Sequence, residues 1–147
     1  MKDVHIAIGV LALALSALAA LWGGWCWWQS RQSVWFWRVL RAMQAVVVLE
    51  MALGGVLLLM GRKASDLHFI YGVLPLAVSL IGEQLRLSAA QMILDAHGFA
   101  SARDVGRLPR AEQQEVVLAI VRREIGVMAL AALVIVVLLA RAATVVH

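Results

Sequence analysis

Cysteine is nearly absent from this chain: Cys26 is the only one in 147 residues, which excludes an internal disulfide and argues against a cysteine-held metal cluster. Proline occurs twice, at Pro75 and Pro109, so long helices can run with few breaks. Charged residues make up 15% of the chain against 63% hydrophobic, and no polar stretch is long enough for a separate water-soluble domain. No nucleic-acid motif accompanies the net charge of +4, and no soluble basic face is available to present it.

What the chain has instead is four apolar runs. Val4 to Trp28 carries no charge if its histidine is neutral, and it exceeds the ~20 residues that a helix needs to cross a bilayer. A second run, Ala42 to Gly61, has Glu50 as its only charge; the third and fourth extend from Leu67 to Gly82 and from Ile125 to Ala140. The expected fold is all-α, one four-helix membrane domain over residues 1–147 with helices near 4–28, 38–61, 67–96 and 110–145. The first run ends in Trp25-Cys26-Trp27-Trp28 rather than a small-residue cleavage site, so it is read as a membrane span and not as a signal peptide.

Basic residues set the expected orientation. Arg31, Arg38 and Arg41 follow the first run, and Arg86, Arg103, Arg107, Arg110, Arg122 and Arg123 lie between and beside the third and fourth. Only Lys2, Arg62, Lys63 and Arg141 fall on the other face. Positive charge stays inside, so both termini and the Gly61 to Asp66 turn are expected outside an inner (plasma) membrane, with anionic lipid as the partner of the basic face. All six tryptophans lie between Trp22 and Trp37, as in an interfacial aromatic belt. The third and fourth helices are expected to continue into a short cytoplasmic hairpin. Gly98 would cap one arm and Pro109 would start the other. Glu83, Arg86, Arg122, Arg123 and Glu124 are expected to pair at its base, and His97, beside Asp95, is expected to be a solvated loop residue.

Chemistry is concentrated on the opposite face. His5-Ile-Ala-Ile-Gly9 and His68-Phe-Ile-Tyr-Gly72 open the first and third helices with the same His-x-x-x-Gly phrase. Both helices run in the same direction, so the two imidazoles share one level and a haem iron could lie between them. Gly9 and Gly72, one turn deeper on the same helix faces, with Gly54 and Gly55 on helix two, would give a flat macrocycle clearance. Arg62 and Lys63, with Lys2 and Arg141, lie in the layer where haem propionates need cations. Interfacial polar histidines and helix-packing glycines are the plainer alternative. Pro75, one turn beyond Gly72, can kink helix three around a ligand. Glu50 falls near mid-membrane, where a carboxylate is costly; it is read either as a hydrogen-bond partner of Ser16 or Ser79, or as a proton or quinone contact.

The stretch Glu50-Met-Ala-Leu-Gly-Gly55, followed by a polar turn and His68, resembles the Gln-x-x-Leu-Gly-Gly...His pattern of the haem A synthase family over roughly Val4 to Leu80. The resemblance implies a four-helix half-bundle with haem b ligated by His5 and His68. Glu50 stands where the family usually has glutamine, and Lys2 and Ile6 stand where its acidic-x-x-His-Arg motif would have the acid and the arginine. The expectation is therefore a cytochrome b-like electron-transfer or haem-handling protein rather than an oxygenase, with a redox partner or quinone and possible self-association through small residues such as Ala17, Ala19 and Ala20. Two further readings stay open. His5 and His68 could bind copper with Met1 or Met60, or the four helices could be a scaffold subunit of a larger membrane complex. A channel or transporter lacks the polar ring and the discontinuous helices it would need.

Overall fold

The computed structural model describes residues 2–62 and 65–145 and contains five helices: α1 Lys2–Trp28, α2 Val34–Leu59, α3 Asp66–Ala96, the short α4 Ala102–Val105 and α5 Arg110–Thr144. The four long ones are each long and apolar enough to cross a membrane.

Local signals set the helix ends. The Oγ of Ser33 accepts from the Phe36 N–H at 3.3 Å, and α2 therefore starts at Val34, four residues before the expected 38. It ends in a Schellman turn: Gly61 has φ +78°, its N–H reaches Leu58 O at 2.9 Å, and Arg62 N–H reaches Leu57 O at 3.1 Å. Gly98 does the same for α3 at φ +75°, with Gly98 N–H on Asp95 O and Phe99 N–H on Leu94 O. At the end of α1 the left-handed position falls to Ser30, φ 52°, where a side chain is disfavoured. Pro109 is the N-cap of α5. Between the hairpin arms lies α4, absent from the sequence expectation, where Asp104 Oδ2 accepts from the Ser101 N–H at 2.9 Å.

The long helices alternate in direction and pack in the ring order α1, α2, α3, α5. Helix α5 packs against both α1 and α3, α2 and α3 touch most sparsely of the ring neighbours, and α1 and α3 stand on a diagonal. Phe36, Leu40, Met43, Ile125, Met128 and Ile135 fill the centre, with a second small cluster of Leu94, Val105 and Val116 inside the hairpin. Many large side chains, among them Val10, Leu21 and Leu80, point outward and more than half of each is exposed. In an apolar solvent such side chains are at home, and helix association depends on van der Waals fit rather than on the hydrophobic effect. Glycine supplies that fit at Gly23, where an added Cβ would lie 2.5 Å from Phe36 Cε2, and at Gly126, where it would meet the Trp27 ring at 2.8 Å.

One end of the bundle carries tryptophan and arginine. Glu83 accepts from Arg41 Nη1 at 2.6 Å, Gln44 Nε2 at 2.9 Å and Arg86 Nε at 3.1 Å, and Arg86 also lies 3.9 Å from Glu124 and over the Trp37 ring. The expected cluster needs correction in its membership. Arg41 and Gln44, from α2, join it, whereas Arg122 makes no ion pair among the described residues and Arg123 turns to Met92 Sδ. His97 is exposed, with Nδ1 2.8 Å from Ile93 O. It stacks on Phe99.

Candidate functional site

The histidine phrases begin helices that sit diagonally across the bundle and point the same way, which brings His5 and His68 together at the end opposite the tryptophans. Their ring centroids are 6.1 Å apart and their planes meet at 75°.

His68 is held firmly. The Oγ of Ser65 accepts from its backbone N–H at 3.2 Å and donates to Val145 O at 2.6 Å, tying the start of α3 to the end of α5. The imidazole Nδ1 lies 3.0 Å from Ala142 O. A carbonyl can only accept, so Nδ1 carries the proton, and in the neutral ring the lone pair is left on Nε2. This is the tautomer of a metal-binding histidine oriented by a backbone carbonyl.

His5 has a different neighbour. Its Nδ1 is 3.1 Å from Glu50 Oε1, within ion-pair distance but out of line for a hydrogen bond, so His5 Nδ1 and Glu50 Oε2 are both buried without a hydrogen-bond partner. The pairing corrects the expected contact of Glu50 with Ser16 or Ser79. Ser16 Oγ donates at 2.7 Å to Ala12 O in its own helix, and neither serine bonds to Glu50 among the described residues. Counting helical rise places Glu50 roughly 14 Å from the end of α2 and His5 roughly 5 Å from the start of α1. Their contact shows that α2 projects beyond α1 at this end.

The glycines divide. The space over Gly9 is taken by the Glu50 carboxylate, 2.8 Å from where a Cβ would stand, so the expected clearance for a macrocycle there is corrected to a clearance for Glu50. A Cβ on Gly54 would be 3.6 Å from His5 Cε1. Gly55 and Gly72 face open space, the latter one turn below His68. Arg62 and Met60 are exposed beyond the end of α2, while Lys63, like Met1, lies outside the described residues.

Among the described residues no three or more histidine, cysteine, aspartate or glutamate side chains are grouped to hold a metal ion. The site thus offers a metal two imidazoles, with the Glu50 carboxylate beside one of them. That donor set suits a metal arriving with its own equatorial ligands better than a bare ion, which would want three or four protein donors. No known family model, curated protein or solved structure matches the chain, so the chemistry of the site rests on its own residues.

Proposed function

We propose that this is a membrane electron-transfer protein that binds one haem b between His5 and His68, with both termini on the outer face of the inner membrane. The observation that carries the reading is the separation of the two imidazoles. A metal–imidazole bond of about 2 Å, plus about 1 Å from nitrogen to ring centre on each side, sets two axial rings roughly 6 Å apart; the centroids here are 6.1 Å apart. Rings at 75° to one another can still share an axis, because each plane need only contain it. The orientation is supported by the nine basic residues on the tryptophan side against four on the histidine side.

Bound haem supplies a one-electron couple. The chain contributes the rest of the chemistry. The Ala142 carbonyl keeps the His68 proton on Nδ1 so that Nε2 is free, and Glu50 stands where it can accept the Nδ1 proton of His5 after a small ring rotation. Gly72 leaves room for a ring edge beneath His68. Arg62, exposed just beyond α2 at the same end of the bundle, would meet a haem carboxylate there, and Lys63 is the next residue in sequence. Titrating the detergent-purified protein with haemin and following the visible spectrum tests the reading. Saturation at one haem per chain, lost in both His5→Ala and His68→Ala, is expected. Saturation unchanged by either substitution overturns it.

A further inference from the structure

The tryptophan end holds a second feature, unconnected with the histidines. Between the end of α1 and the start of α2 lies a cleft of about 260 Å³, lined by Trp22, Trp25, Gln29, Arg31, Gln32 and Ser33 together with Cys26. We propose that this cleft binds the phosphate headgroup of an anionic phospholipid. The inference rests on the membrane reading and not on the haem.

Three arginines, Arg31, Arg38 and Arg41, belong to this connection and the start of α2. Arg41 is taken by Glu83, and Arg38 lies over the Trp35 ring at 4.9 Å. Arg31 has no carboxylate partner among the described residues. No acidic side chain lines its cleft, and the neighbouring groups are amides, a hydroxyl and indole N–H groups. The carbonyls at the end of α1 are engaged by the backbone, and none accepts from the Arg31 guanidinium among the described residues. Trp25 O, Trp27 O and Cys26 O already accept from the N–H groups of Gln29, Ser30 and Arg31, in the turn that fixes the Arg31 backbone against α1. Ser33 Oγ accepts from Phe36 N–H, which leaves its own proton to donate outward. A donor-rich, acid-free cleft with one unpaired guanidinium calls for an anion. Trp22 and Trp25, on the last turns of a helix apolar enough to cross a membrane, put that cleft at headgroup level, where the abundant anions are lipid phosphates and the indole faces suit the glycerol and upper acyl chain.

The test uses the full-length protein in vesicles and its own tryptophan fluorescence. Quenching by phosphatidylglycerol brominated in its acyl chains is compared with quenching by the equivalent phosphatidylcholine, and relative binding constants are extracted. A preference of about fivefold for phosphatidylglycerol is expected, the size contributed by one basic residue near a membrane surface. Arg31→Gln should abolish it. Arg31→Lys should keep most of it, and Arg107→Gln, in the hairpin, should leave it unchanged. Equal binding of the two lipids, or a preference that survives Arg31→Gln, overturns the proposal. Loss of the preference on adding inorganic phosphate points to a free oxyanion as the occupant and overturns the lipid assignment. Failure of both brominated lipids to quench overturns the membrane reading along with it.

Discussion

Replacing Gly23 by alanine places a methyl group 2.5 Å from Phe36 Cε2 and 2.9 Å from the Ala129 Cβ, closer than carbon atoms tolerate. Neither neighbour can yield cheaply. Phe36 is fully buried with its ring against Trp37 at 5.1 Å, and the Ala129 Cβ is fixed to the backbone of α5. Separating α1 from α2 and α5 would loosen the packing that holds a membrane bundle together, and overpacking of this kind costs about 1–3 kcal/mol. The substitution also removes a glycine from a helix interior, worth about 1 kcal/mol in the other direction. Gly24 separates the two effects. It is the next residue on the same helix and a Cβ there meets nothing within 4 Å, so Gly24→Ala should show the helical gain alone. The two variants should therefore differ by about 1–3 kcal/mol, with Gly24→Ala the more stable. Thermal unfolding in detergent, followed by tryptophan fluorescence, would read this as about 2–4 °C per kcal/mol. Equal midpoints for the two variants would refute the close approach of α1 to Phe36.

Other substitutions report on other parts of the account. Ser30→Gly relieves a left-handed residue at the end of α1 and should raise stability by about 1 kcal/mol in the same assay; a neutral or destabilising result would show that the turn is not held at positive φ. Glu50→Leu removes the carboxylate that lies beside His5 Nδ1 among the described residues and should weaken haemin affinity by roughly 10–100-fold in a spectral titration, the usual effect of losing a group that orients a metal-binding histidine. Unchanged affinity would mean that Glu50 plays no part in holding His5.

The long helices are legible because each carries a long run of mostly apolar residues and because few residues break them. Gly98 and Pro109 announce the hairpin arms through their own backbone preferences. The start of α2 is harder to read, since Val34-Trp35-Phe36-Trp37 reads as interfacial filler until Ser33 is recognised as a cap. Alternating helix direction is enough to place His5 and His68 at one end. The companion of His5 is not readable in the same way. The contact with Glu50 depends on how far α2 projects past α1, a stagger set by packing around Phe36 and Gly23 and unmarked by any local pattern. The same holds for Arg41 and Gln44, which reach Glu83 from α2 across 42 and 39 positions of sequence.

Electron paramagnetic resonance of the oxidised, haemin-loaded protein tests the central claim most directly, because it senses both axial ligands at once. Ligation by both histidines predicts a single, strongly anisotropic low-spin ferric signal, as expected for two imidazoles with steeply crossed planes, replaced by a high-spin signal in His5→Ala and in His68→Ala. A high-spin signal in the unaltered protein, or a low-spin signal that persists in either variant, would contradict ligation of one iron by His5 and His68.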